Sequence, residues 1–252
     1  MVALITGATS GFGKATAEIF AKNSYDVIIT GRRKGRLDEF STELKSKYKV
    51  DVLVLNFDVR QLNEVEKAVN SLSRKWKNID VLVNNAGLAA GLSAIHEGNI
   101  DDWERMIDTN IKGLLYITRL VSPLMVANKK GHIINIGSTA AKEVYANGNV
   151  YCASKFAVDA LNKSMRIDLL QHNIRVSSVN PGLAETEFSI VRFAGDTEKA
   201  KTVYKGLQPL MANDIAETVW WIASRPAHVN ILDVVLTPTA QANSAHIVRK
   251  NS

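Results

Sequence analysis

Tyr151 and Lys155 stand four residues apart in a stretch of helical periodicity, so both side chains leave the same face of one helix. A free phenol has a pKa of about 10 and is a poor base at neutral pH. An ammonium group beside it favours the phenolate and lowers that value. Tyr151 can then take a proton from an alcohol or give one to a carbonyl oxygen. The pair is common at this spacing, and its meaning comes from its surroundings. Ser138 follows an apolar run in Ile136-Gly137-Ser138-Thr139, where a hydroxyl at a strand's carboxyl end can hydrogen-bond the same oxygen. Asn110 lies in a helical stretch among Ile107, Ile111 and Leu114, and an amide there needs a reason. It either serves a backbone kink or a buried hydrogen bond, or keeps a water next to Lys155 for a proton path.

A second constellation lies at the N-terminus. A short apolar run leads into Thr6-Gly7-Ala8-Thr9-Ser10-Gly11-Phe12-Gly13, and helical periodicity follows at once. Phosphates are bound by backbone N–H groups at a helix N-terminus, and glycines permit the tight turn and close approach. The spacing is G-x-x-x-G-x-G, a glycine loop that fits a dinucleotide when it joins a strand to a helix. The next strand ends in Thr30-Gly31-Arg32-Arg33. A site for NAD wants a carboxylate about here for the ribose 2′-hydroxyl. Gly31 stands in that place, and Arg32 or Arg33 can grip a 2′-phosphate by charge and paired hydrogen bonds. NADP is therefore the expected cofactor, and its positive nicotinamide in the oxidised form also favours a Tyr151 phenolate. Asp58-Val59 follows the third strand, where Asp58 either accepts from the adenine amino group or caps the next helix. Asn84-Asn85-Ala86-Gly87 ends the fourth strand with small and polar residues that let a cofactor lie against backbone, and Asn84 has a structural alternative, holding neighbouring strand ends together.

The elements that must position these residues follow from the apolar pattern. Strands are expected at Val2–Thr6, Val27–Thr30, Val52–Phe57, Val81–Val83, Ile133–Ile136, Val176–Val179 and Val234–Leu236. Helices are expected at 12–22, 36–47, 62–76, 103–127, 150–170 and 214–224, with Asp101 or Asp102 capping the fourth and Asn213 the last. The strands are apolar at both parities, which means burial on both faces, as in a parallel sheet covered by helices. Seven strands alternating with helices predict a doubly wound α/β fold, a three-layer sandwich in one domain spanning 1–252. The least regular stretch, 183–209, follows the sixth strand and is placed to act as a substrate lid.

Composition sets the outer limits. The 252 residues suffice for one sizeable core, and 46% are hydrophobic against 22% charged, an ordinary globular balance. No apolar run reaches the ~18 residues needed to span a bilayer, and no signal-peptide pattern opens the chain. A cytoplasmic location is expected, and the single cysteine, Cys152, allows no internal disulfide. The net charge of +6 is scattered apart from Arg32, Arg33, Lys34 and Arg36, which argues for small anionic ligands over nucleic acid. Trp220 and Trp221 read as packing or interface residues rather than a base-stacking platform. The five histidines, His96, His132, His172, His228 and His246, show no ligand spacing, so no metal is predicted.

Taken together, the glycine loop, the Asn84–Gly87 motif and the set Asn110, Ser138, Tyr151 and Lys155 resemble the short-chain dehydrogenase/reductase family over nearly the whole chain. The resemblance implies hydride transfer between a nicotinamide and an alcohol or carbonyl. It implies Tyr151 as acid/base, Ser138 as ligand of the substrate oxygen, Lys155 as ribose ligand and pKa modulator, and Asn110 as holder of a relay water. It places Pro181 and Gly182 along the nicotinamide, Thr186 at its carboxamide, and the protein in a homotetramer. Three further stretches, 147–151, 187–193 and 226–230, resemble a subgroup acting on short 3-hydroxy acids, similar to serine 3-dehydrogenase, NADP-dependent 3-hydroxy acid dehydrogenase and L-allo-threonine dehydrogenase. That resemblance also admits reduction of malonic semialdehyde or sulfoacetaldehyde.

A short acid needs a cation. Arg192, in the expected lid, is the candidate, unless it pairs with Glu187 or Asp196 and only fixes the loop. Glu143 and Tyr145 lie between Ser138 and Tyr151 and are expected to border the pocket. Glu143 either meets the amino group of a hydroxy amino acid or stays exposed or paired with Lys142.

Overall fold

The first strand, β1 (Val2–Ile5), shows why the sheet is covered on both sides. Ala3 and Ile5 enter one apolar cluster, Val2 and Leu4 enter another, and all four are buried. The same alternation recurs along β2 (Asp26–Gly31), where Val27 and Ile29 face the first cluster and Ile28 the second. A strand with two apolar faces can persist only between two layers of helices. The computed structural model describes residues 1–250.

The remaining strands are β3 (Val52–Asn56), β4 (Val81–Asn84), β5 (Gly131–Ile136), β6 (Ile174–Pro181) and β7 (Asp233–Leu236). All neighbouring pairs are parallel, in the order β3-β2-β1-β4-β5-β6-β7. The order reverses at β1, so the carboxyl ends of β1 and β4 flank a crevice, the place where such sheets take ligands. One helical layer contains α1 (Gly11–Lys22), α2 (Lys34–Tyr48) and α9 (Ala212–Ala223). The other contains α3 (Leu62–Asn70), α5 (Leu114–Asn128) and α6 (Asn149–Asp168). Within the first layer Trp220 packs edge-on against Phe20 and Tyr25, at ring-centre distances of 5.4 and 5.7 Å, whereas Trp221 is exposed.

Four elements differ from the sequence expectation. The long helix expected over 103–127 is α4 (Ile100–Ile107), a π-helical turn over Asp108–Gly113, and then α5. Its cap is Asn99, which accepts from the Asp102 N–H; Asp101 and Asp102 lie inside the first turn. Helix α3 stops at Asn70, not at Trp76. The last helix begins after Met211, not Asn213, because the Asp214 carboxylate reaches back to the Met211 N–H at 2.7 Å. The expected lid holds two short helices, α7 (Glu187–Arg192) and α8 (Thr197–Thr202).

No helix among the described residues is long and apolar enough to cross a membrane. No group of three His, Cys, Asp or Glu side chains among them could hold a metal ion.

Candidate active site

The glycine loop connects β1 to α1 as a turn that no larger residue could make. Gly7 has φ +68°, and a Cβ there would lie 3.0 Å from the Ala86 backbone. A Cβ on Gly13 would lie 2.3 Å from the Gly7 carbonyl oxygen, so the helix starts pressed onto the loop. Two side chains hold this arrangement. The Thr6 hydroxyl accepts from the N–H groups of Asn85 and Ala86, and the Asn85 amide donates to the carbonyls of Thr6 and Gly7. Ser10, at the N-cap of α1, makes no capping bond. The first N–H groups of α1 thus face the crevice with no side chain satisfying them, a ready anion site.

From this loop a cleft of about 290 Å³ runs along the carboxyl ends of the strands. Gly7, Thr9, Ser10, Gly11 and Phe12 line it, together with Arg32 and Arg33 after β2, Asp58 and Val59 after β3, and Ala86 and Gly87 after β4. Tyr151, Lys155 and Thr186 line it as well. Two glycines make room here. A Cβ on Gly31 would lie 2.8 Å from the Thr9 methyl, and one on Gly87 would lie 3.2 Å from the Asn110 amide oxygen. Uncapped helix N–H groups, two guanidinium groups and glycines where a side chain would clash fit a phosphorylated dinucleotide. Thr186 caps α7 through the Phe188 N–H and stands against Gly11, so α7 begins beside the glycine loop.

The two arginines play different parts. Arg33 donates to the hydroxyls of Thr9 and Ser10 and to Glu187, whereas Arg32 is well exposed, its nearest carboxylate being Asp58 at 3.8 Å. Asp58 itself accepts from the Arg60 side chain and backbone and makes no cap to α3, whose N-cap is Gln61. The capping alternative for Asp58 is therefore set aside. Asn84 does not line the cleft. It is buried, donates to Thr118 and to Asn135 on β5, and ties the two strand ends, as its structural alternative required. Its neighbour Asn85 reaches the cleft instead.

Of Asn110, Ser138, Tyr151 and Lys155, Tyr151 and Lys155 line this cleft and Ser138 lines a second cavity. Lys155 is buried and donates to the Ile136 carbonyl oxygen at 2.9 Å, which leaves two ammonium hydrogens for the cleft. Burial lowers its pKa to about 8. The Ser138 oxygen accepts from the Ala140 N–H, so its own hydrogen is free to donate. Asn110 sits in the π turn, and both of its amide hydrogens are used. It accepts from the Leu88 N–H, and donates to the Leu88 carbonyl and the Ser154 hydroxyl, each at 2.9 Å. The side chain therefore fixes the strand β4 exit against α6.

Tyr151 is the junction of two cavities. It lines the cofactor cleft and a second cavity of about 220 Å³ that also contains Ser138, Tyr145, Pro181, Gly182 and Arg192. Its pKa is pushed up, chiefly by burial and also by Tyr145, against the opposing pull of Ser138 and Arg192. Lys155 is not among the causes of that shift. The ammonium lies 6.0 Å from the ring centre and is directed at Ile136, so the protein alone favours the protonated phenol.

Arg192 pairs with neither Glu187 nor Asp196. Its guanidinium donates to the Tyr145 hydroxyl at 3.0 Å and the Gly91 carbonyl, and no carboxylate neutralises it among the described residues. Glu187 bonds Arg33 and Arg36, and Asp196 caps α8. Glu143 is not brought to the site. It is exposed and accepts from the Ser244 N–H at 3.3 Å, while Lys142 pairs with Asp159 and Asp233. The C-terminal residues Gln241, Ser244 and Ile247 line the second cavity in its place, a contribution that no local pattern announced.

Residues 1–196 match the short chain dehydrogenase family. The chain is 49% identical to an NADP-dependent 3-hydroxy acid dehydrogenase of Salmonella typhi over 243 residues, covering 96% of each protein. It is 43% identical to a protein of the same name from Schizosaccharomyces pombe, covering 99% of this chain and 96% of the relative. Among solved structures it is similar to the closed form of a serine dehydrogenase complexed with NADP+, with TM-score 0.92, 45% identity and full coverage of both chains. Serine dehydrogenase from Escherichia coli superposes with TM-score 0.83 at 42% identity, covering 96% of this chain and 100% of the other.

Proposed function

The chain belongs to the short-chain dehydrogenase family, and from that membership we propose a specific substrate, the 3-hydroxyl or 3-carbonyl group of a short 3-hydroxy acid. It is an NADP-dependent oxidoreductase of small hydroxy-acid or carbonyl compounds. The observation that carries the finer reading is the unneutralised guanidinium of Arg192 in the cavity that Tyr151 and Ser138 share. A guanidinium matches a carboxylate fork, and it lines the same cavity as Tyr151 and Ser138.

NADP(H), held by the glycine loop, Arg32 and the residues around Lys155, supplies the hydride acceptor or donor. Ser138 donates to the reacting oxygen and Tyr151 exchanges its proton. Arg192 holds the carboxylate, so that the 3-carbon faces the cleft. Donors fixed in advance toward developing charge supply much of a rate gain. Lys155 adds positive charge to the cleft. Burial makes its ammonium costly, which a bound partner would relieve.

The experiment is a panel of NADP+ and NAD+ with serine, allo-threonine, 3-hydroxypropionate and 3-hydroxybutyrate, and of NADPH and NADH with sulfoacetaldehyde. Turnover of the hydroxy acids with NADP supports the reading. Turnover of sulfoacetaldehyde alone moves the substrate to a sulfonate, and failure on all five removes the short-acid assignment.

A homotetramer and a cytoplasmic location are part of the same proposal. Ile107, Leu115, Phe156 and Ile167 are exposed on α4, α5 and α6, apolar surface that partner copies would cover. Light scattering showing a monomer at micromolar concentration would end the tetramer assignment.

A further inference from the structure

Glu187 opens the lid helix α7, and each of its carboxylate oxygens meets a different arginine. Arg33 donates to one and Arg36 to the other, both at 2.8 Å. Arg33 also donates through its Nε and remaining amino group to the hydroxyls of Thr9 and Ser10. One guanidinium therefore ties together the glycine loop, the connection after β2 and the lid. A carboxylate at the mouth of a polyphosphate site would repel the ligand unless it were neutralised, and here two cations do that.

Helix α7 has six residues, too few to persist without tertiary anchors. Its first residue is held by the arginine pair, and its last, Arg192, by Gly91 and Tyr145. Between them Phe188 and Val191 line the cofactor cleft. The anchor at Glu187 thus sets this side of the cleft and, through the same short helix, the position of the substrate cation.

We infer that Glu187 is a positioning residue, a clasp that holds the lid over the bound dinucleotide by bridging Arg33 and Arg36. This rests on the assignment of the cleft to NADP(H). It adds a residue that contacts neither the reacting atoms nor the substrate. It also divides the arginines after β2. Arg33 is occupied by the clasp and the loop, and Arg32 remains for the 2′-phosphate.

The test uses the full chain and measures dissociation constants for NADPH and NADH by fluorescence, with steady-state kinetics alongside. Glu187→Gln keeps the size and loses the charge. Arg36→Gln breaks half of the clasp from a side chain outside the cleft. The clasp predicts that each variant weakens NADPH by about three- to tenfold, with a rise in substrate KM and little change in kcat at saturation for Arg36→Gln. NADH should weaken by the same factor, because the lid and not the 2′-phosphate is affected. The double variant should be no weaker than Glu187→Gln alone, since both remove one network. Unchanged binding in both folded variants overturns the clasp. So does tighter NADPH binding by Glu187→Gln, which would mean that the carboxylate competes with the 2′-phosphate for Arg33. Failure of the unaltered protein to bind NADPH at all would instead remove the cleft assignment, and the clasp with it.

Discussion

The Arg192 guanidinium lies 5.7 Å from the centre of the Tyr151 ring, so the one cation among the described residues lining the second cavity faces the phenol proposed to exchange the proton. That pairing predicts a charge-selective defect. Arg192→Met should lower kcat/KM for 3-hydroxy acids by about 10²-fold, as expected for removing one partner of a partly buried ion pair. An uncharged ketone of equal length should lose no more than a few-fold. Equal losses on both, in steady-state assays, would return Arg192 to the role of loop fastener.

Arg32 should decide the cofactor. Its guanidinium is largely free in the cleft, whereas Arg33 is fully engaged. Arg32→Ala is expected to weaken NADPH by roughly tenfold, the loss of one or two charge-assisted hydrogen bonds, and to leave NADH within twofold. Fluorescence titration of both cofactors measures the ratio.

Lys155 carries a stability cost. Its pKa falls from 10.5 to about 8 on folding because burial disfavours the ammonium. Between those values the unfolded chain holds a proton that the folded chain has released, so stability rises with pH across that window, and below pH 8 the whole penalty is present. Lys155→Met should remove on the order of 3 kcal/mol of penalty at pH 7 and lose part of that gain through the unpaired Ile136 carbonyl. The cofactor-free variant should therefore melt higher at pH 7 and lose that advantage above pH 10.5, while activity collapses. Melting curves at the two pH values check it.

His132 acts in the same direction at lower pH. It is buried on β5 beside Ser177, and burial, with Arg175 adding to it, lowers its pKa from 6.5 to about 3. Below pH 6.5 the unfolded chain gains a proton that the folded chain refuses, so stability falls as pH drops toward 3. His132→Gln should flatten that fall, in urea unfolding at pH 7 and pH 4, by roughly 3 kcal/mol.

Much of this architecture was legible because it is written locally. Runs such as Val2-Ala3-Leu4-Ile5 are apolar at both parities and can only be covered strands. The glycine loop and the Tyr151–Lys155 pair carry their meaning in their own spacing. The π turn at Asp108–Gly113 was not legible, since what it answers is distant. Asn110 must meet Leu88 and Ser154, and Gly113 must clear Val59, where a Cβ would lie at 2.8 Å. The end of α3 was hidden for a similar reason. Leu72 and Trp76 continue an apolar pattern yet pack into the core from a turn.

Pocket walls built by residues far apart in sequence were the least readable. Glu143 sits near Ser138 and Tyr151 in the chain, and that nearness suggested a role it does not have. The tail residue Ser244, whose N–H bonds Glu143, lines the cavity instead. Arg192 could be named as a candidate from its residue type, but its freedom from Glu187 depends on Arg33 and Arg36, more than 150 positions away.

The account depends on Tyr151 exchanging a proton at the meeting point of the two cavities, and Tyr151→Phe measures that most directly. The ring still packs against Phe188, at 5.7 Å between centres, so the fold and the cofactor cleft should survive. The predicted result is NADPH affinity within twofold of the unaltered protein, with kcat/KM down by 10³-fold or more, roughly the contribution of a positioned acid or base. A variant that binds NADPH normally and keeps its activity within about tenfold would contradict the account and place the proton transfer on another group.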